Sequence, residues 1–297
     1  MKVAAYHAGR HLAEHELLAP GKACPMCGSV STTRLWAVQR DPDVVLVRCH
    51  GCRAVSVDRF PTPEALDEYY GSYYDDAPDD AVTTDDPSRL ASRIASYVVN
   101  RSGGVRLLDL GGGDGSIGVA VLSRLATSGE VVVVDYDHRR RAAAPAEISL
   151  SQVPTLADVD GAFDVVVASA VLEHLPRPAA VLEELLGRVK PGGVFYARTP
   201  YVVPLIGVAS KVGVAIDFTF PAHLFDLGSD YWARLSTWLP AFDEFEVLAS
   251  RPSPVETGFR AHPARTMVSA VMKAPWRLFG SRWTFVGGWE LAARRSS

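Results

Sequence analysis

From Pro87 onward the chain alternates short apolar runs with stretches that are apolar on one side only. Val105-Arg106-Leu107-Leu108, EVVVV from Glu130, FDVVVAS from Phe163 to Ser169 and VFYART from Val194 to Thr199 read as strands buried in a parallel sheet. Between and before them SRLASRIASYVV, IGVAVLSRL and AAVLEELLGRV read as helices. This order predicts an α/β, Rossmann-like domain with helices on both faces. The third strand is weakly written, and Ala146 to Leu150 is its best candidate. A helix is predicted over Ser229 to Leu239 and another near Pro263 to Met272. EFEVLAS and TFVGGWELAAR would form a hairpin at the sheet edge. Tyr201 to Leu227 fits neither period. It is apolar, glycine-rich and broken by Pro204 and Pro221. Because it follows the fifth strand, where such sheets open their sites, it is predicted to cap a substrate.

The first part of the chain has a different texture. LWAVQ and VVLVR read as a hairpin. A helix can start at Thr62 or Pro63, and Tyr69, Tyr70, Tyr73 and Tyr74 crowd its end. DDAPDDAVTTDDP, from Asp75 to Pro87, carries six acids and two prolines and reads as an exposed linker. The predicted organisation is therefore 1–60 for the N-terminal extension and hairpin unit, 61–87 for the tyrosine-rich helix and linker, and 88–297 for the large domain with its cap at 201–227.

Leu107 to Gly118, LLDLGGGDGSIG, is the centre of that large domain. A strand, a glycine turn and a helix begin a nucleotide-binding unit. Two registers compete. Gly113-x-Gly115-x-x-Gly118 fits the dinucleotide fingerprint, whereas Asp109-x-Gly111-x-Gly113-x-Gly115 puts an acid first. A carboxylate at a buried strand end needs a cation, and a pyrophosphate would be repelled there. Asp135 ends the second strand 20 residues beyond Gly115, a spacing that suits a carboxylate gripping ribose hydroxyls.

All four cysteines lie in Cys24-Pro-Met-Cys27 and Cys49-His-Gly-Cys52, two knuckles separated by 21 residues. That spacing predicts a closed tetrahedral zinc site with a structural role. His50 lies in a knuckle whose shell the thiolates already complete.

The acid-first loop, together with FDVV, VLEHL and KPGG further on, resembles class I S-adenosylmethionine (SAM) methyltransferases. The preceding zinc ribbon and tyrosine-rich helix resemble the sugar and natural-product members of that family. The resemblance covers roughly Cys24 to Leu248. It implies a seven-stranded sheet, SAM as cofactor, and methylation of a small polar metabolite at oxygen or carbon. Cofactor contacts would come from Asp109, Gly111, Gly113, Gly115, Asp135, Tyr136, Ser169 and Tyr74. Tyr70 and Tyr201 would face the substrate. The adenine contact is left to Asp158 or to backbone. In the sugar C-methyltransferases a Glu-His pair stands in the cap, with the His transferring a proton. Here the pair is Ala222-His223, so the His is kept and the carboxylate is missing. His223 is the first candidate base, and His174, just past the fourth strand, is the second.

Charge narrows the partners. The 297 residues carry a net charge of −4, and the segment through Asp86 holds more acids than bases. An RNA methyltransferase using the ribbon to bind RNA is the rival reading, and this acidity argues against it. A non-catalytic scaffold of the same fold is a third. No apolar run reaches the roughly 18 residues of a membrane span. The N-terminus has no secretory apolar core, so a cytoplasmic location is expected. The oligomeric state is not written in the sequence.

Overall fold

The computed structural model describes residues 10–75, 87–99, 103–136, 141–211, 213, 217–255 and 262–297. Side chains at 72–75 and 265 fall outside that description, as does most of the acidic linker. The expectations for the Tyr73 and Tyr74 side chains therefore lie outside the described residues.

Two sheets organise the chain. The N-terminal sheet contains β1 (Thr32–Gln39), β2 (Val44–Cys49) and β3 (Val55–Val57), followed by helix α1 (Pro63–Asp75). The larger part follows as α2 (Pro87–Ala95), β4 (Val105–Leu110), α3 (Ser116–Arg124), β5 (Gly129–Val134), β6 (Ile148–Val153), β7 (Phe163–Ser169), α4 (Pro178–Gly187), β8 (Val189–Tyr201) and α5 (Val203–Lys211). It ends with β9 (Phe225–Asp226), α6 (Ser229–Trp232), β10 (Phe245–Pro252), α7 (Pro263–Lys273), α8 (Trp276–Phe279) and β11 (Gly287–Arg295). The large sheet has seven strands in the order β10-β11-β8-β7-β4-β5-β6. β4 to β8 run parallel, and β11 is antiparallel to both of its neighbours, as the edge-hairpin expectation required.

Burial explains the placement. Leu90, Ala91 and Ile94 of α2 join Val119 and Leu122 of α3 on one face of the sheet, over Val131 and Val133. Leu182, Leu185 and Leu186 of α4 cover Val166 and Ala168 on the other face. This second core continues without a break into Leu46 and Val57 of the N-terminal sheet and Phe225 and Leu227 beyond α5. The two sheets are also tied by backbone. β9 is the fourth strand of the small sheet, and Ser56 pairs with Phe225.

Four expectations change. The third strand runs from Ile148 to Val153, because pairing with β5 carries it through Ser149, Ser151 and Gln152. As an edge strand it tolerates polar residues on its open side. KPGG is absorbed into β8, which starts at Val189. Ser229 to Leu239 is a single α turn followed by a 3-10 turn at Leu235–Thr237. Tyr231, Trp232 and Leu235 are all buried. The cap holds a regular helix, α5, where none was predicted. Its first turn is secured by Asp226, whose carboxylate accepts the N–H groups of Val202 and Val203 at 2.5 and 3.0 Å.

Candidate active site

β4, β5, β7 and β8 all end at one edge of the large sheet. Asp109, next to last in β4, is 1% exposed, and neither carboxylate oxygen has a hydrogen-bond partner among the described residues. Burial, with repulsion from Asp135 and Asp114, pushes this carboxyl up to about 8. A buried, unpaired carboxylate is costly, so the site is neutral until a cation arrives. Gly111 has a φ of +67°, and a Cβ there would lie 2.7 Å from Val171 Cγ2. Gly113, at φ +56°, faces open space. Its N–H donates to Asp135 Oδ2 at 2.8 Å, and its carbonyl accepts from Gln152 Nε2 at 2.7 Å. The loop and the second acid are thus locked together, with Gly115 directly preceding α3. The result is an open backbone cradle with a buried acid at one end and a held carboxylate at the other. It fits a ligand carrying an ammonium and a vicinal diol, as SAM does.

The other assigned residues are placed less uniformly. Tyr136 follows Asp135 and stands 71% exposed. Ser169, buried at the end of β7, accepts a hydrogen bond from Arg198 Nε at 3.0 Å and keeps its own proton to donate. Asp158 lies in a 3-10 turn, bonded to Thr155 Oγ1 at 2.7 Å. Tyr201 packs its ring against Trp289 at 6.1 Å, with its hydroxyl 3.4 Å from Ser229 Oγ. It is not part of the cluster described next.

Beyond β7 a 3-10 turn, Leu172–His174, buries Glu173 and leaves His174 partly open. His174 Nδ1 lies 2.8 Å from the Ala222 carbonyl and 3.3 Å from the Tyr70 hydroxyl. His223 Nδ1 lies 3.2 Å from the Phe218 carbonyl. A carbonyl can only accept, so each Nδ1 donates and each neutral ring keeps its lone pair on Nε2. The two ring centroids are 4.9 Å apart, and His174 Nε2 is 3.9 Å from Glu173 Oε1. One ligating atom from each of Glu173, His174 and His223 lies within 4.8 Å of the others. The Leu224 N–H donates to the Glu173 carbonyl at 2.8 Å, which fastens the cap to this turn. Tyr70, His174 and His223, singled out separately in the sequence, therefore meet. Glu173 is the member that sequence reasoning passed over. Its only signal in the sequence is its place beside His174.

The four cysteines converge in the N-terminal sheet. The Cys24 and Cys52 sulfurs are 3.6 Å apart and those of Cys27 and Cys49 3.5 Å apart, with all four within 4.8 Å. A hydrogen bond from Cys52 holds the Cys24 thiol below its ordinary range. Edges of about 3.8 Å follow from four Zn–S bonds of about 2.3 Å, so the donor set fits that ion. His50 turns to the hydroxyls of Thr33 and Ser31 instead, at 2.6 and 3.3 Å.

The family model for a methyltransferase domain matches residues 67–240. A ubiquinone biosynthesis O-methyltransferase of Paramagnetospirillum magneticum is 36% identical over 103 residues, 32% of this chain and 41% of that protein. One from Xanthomonas campestris pv. campestris is 26% identical over 149 residues, 46% of this chain and 61% of that protein. The chain thus spans about half the length of the curated relatives it matches. Among solved structures, the plantazolicin methyltransferase BamL in complex with SAH shares 12% identity at a TM-score of 0.46, covering 80% of this chain and 92% of that one. Coclaurine N-methyltransferase bound to N-methylheliamine and SAH shares 13% at 0.43, covering 74% and 75%. The family match takes in α3, β4 to β8 and the loop that joins β4 to α3, and the chain belongs to that family: it is a class I SAM-dependent methyltransferase.

Proposed function

We propose that this enzyme methylates a small polar metabolite, a sugar or natural-product intermediate, at oxygen or carbon. His223 is the general base of this reading. Its main support is the convergence of His223, His174 and Glu173 at the edge where the cofactor cradle opens. SAM supplies an already activated methyl group on its sulfonium. The chain's task is to hold that group in line with the acceptor and to remove one proton.

Each residue then has a specific duty. Asp109 gives up its proton and pairs with the cofactor ammonium, and Asp135, clamped by Gly113, accepts from the ribose hydroxyls. Tyr136 and Ser169 line the cradle in this reading. Tyr70 and Tyr201 contact the acceptor, Tyr70 from beside His174. His223 takes the acceptor proton on Nε2, and Glu173 stabilises the charge that forms on the paired imidazoles. Zinc on Cys24, Cys27, Cys49 and Cys52 fixes the N-terminal sheet and takes no part in the chemistry.

His223→Asn tests the assignment directly. General-base catalysis is worth about 10² to 10⁴ in rate, so turnover should fall at least about a hundredfold with SAM affinity unchanged. A fall below about fivefold removes His223 as base, since it lies under the lower bound of that range.

A further inference from the structure

Helix α7 is inverted. Its outward positions are Pro263, Ala264, Met267, Val268, Val271 and Ala274, spaced as one helix face and apolar throughout. Two of its polar residues, Thr266 and Lys273, turn inward. Thr266 is buried, with its hydroxyl donating to the His262 carbonyl at 2.8 Å. Lys273 Nζ reaches the Ser253 carbonyl at 2.7 Å. A surface helix ordinarily does the reverse. α8 follows with further exposed apolar side chains. Val271 is 63% exposed, Leu278 84% and Phe279 57%. Arg277 and Arg282, next to them in the chain, are exposed as well.

The charge of this segment identifies the occupant. Residues 257–289 contain five Lys or Arg and no Asp or Glu, in a chain whose net charge is −4. We infer that α7 and α8 seat the protein on the surface of an anionic lipid bilayer. The apolar stripe would enter the headgroup boundary while Arg277 and Arg282 meet lipid phosphates. A two-fold contact with a second copy would set these arginines against themselves, which disfavours that occupant. The position gives the docking a purpose. The segment connects β10 to β11, and Gly287 of β11 pairs with Tyr201 at the end of β8. It therefore emerges at the edge where the cofactor cradle opens, and a seated enzyme would present that edge to the bilayer.

Sedimentation with vesicles tests this on the full chain, without cofactor or acceptor, so its outcome is separate from the methyl-transfer reading. Vesicles of phosphatidylcholine with about 30% phosphatidylglycerol should bind the protein, and pure phosphatidylcholine should bind it at least about tenfold less. Val271→Ser with Leu278→Ser should weaken binding to the mixed vesicles by about tenfold or more, as should Arg277→Glu with Arg282→Glu, with circular dichroism unchanged. Binding that ignores phosphatidylglycerol, or that both double variants retain, overturns the inference. So does a dimer in light scattering that the Val271→Ser, Leu278→Ser variant dissolves while vesicles bind nothing.

Discussion

His174 and His223 face each other with ring centroids 4.9 Å apart, one carried by the turn after β7 and the other by the cap. Each is oriented by a backbone carbonyl on Nδ1, from Ala222 and Phe218. The Glu173 carboxylate lies close to both rings.

Glu173→Gln tests whether the carboxylate supports the base. If it stabilises the imidazolium, the substitution should lower kcat by roughly tenfold to a hundredfold, a typical share of general-base catalysis, and shift the pH profile of kcat. KM and SAM affinity should hold. An unchanged pH profile would leave Glu173 a packing role only. Because the same three groups form a donor set for a divalent cation, activity should also be read with and without chelator; loss of turnover on chelation under zinc-retaining conditions would count against base catalysis.

Asp135→Ala should leave a folded protein and weaken SAM by at least about a hundredfold, since a charged contact to two hydroxyls is lost. Titration calorimetry measures it. Unchanged affinity, or a preference for NAD, would break the cofactor assignment.

Asp109 predicts a proton signature. Its carboxyl sits at about 8 in the folded chain and at 3.8 ordinarily. Across that window the folded state holds a proton that the unfolded state has released. Its contribution to stability is therefore complete at acid pH and is lost as pH rises toward about 8. SAM binding should release close to one proton near pH 7, seen as a dependence of binding heat on buffer ionisation enthalpy. Asp109→Asn should abolish the release and flatten the stability slope. Zero release in the native protein would show that the ammonium is held elsewhere.

Zinc should matter at a distance. The Val57 N–H donates to the Leu224 carbonyl at 3.0 Å, and Leu224 is the residue after His223. Loosening the metal knuckles should loosen the strand that holds the backbone next to His223. Chelation or Cys49→Ser should lower the melting temperature by several degrees, since a bound metal stabilises the state that holds it. It should cut turnover more than SAM affinity. Metal analysis showing no zinc in native protein would refute the premise.

The sequence revealed most where a single period or spacing carries the information. FDVVVAS is apolar throughout, and β7 spans it residue for residue. Asp109 and the glycines announce the cradle because few other loops tolerate that composition. β6 was readable only to Leu150, since Ser151 and Gln152 look like a loop until β5 pairs with them. Helix α5 was hidden by Pro204 and Gly207, which sit in it without breaking it, Pro204 in its first turn. The nearness of Glu173 to His223 was not legible, because no local pattern encodes a meeting between residues 50 positions apart.

The pairing of Ser56 with Phe225 bears on how such enzymes can be recombined. A boundary drawn at the acidic linker looks like a place to cut and exchange modules. The fourth strand of the N-terminal sheet, however, is spelled 165 or more positions later, at the end of the cap and just before α6. A chimera that takes residues 1–60 from one relative and the remainder from another would inherit a three-stranded remnant with a mismatched last strand. The two parts have to be inherited together, and substitutions in Val55–Val57 should co-vary with those in Phe225–Asp226 across lineages that keep this arrangement.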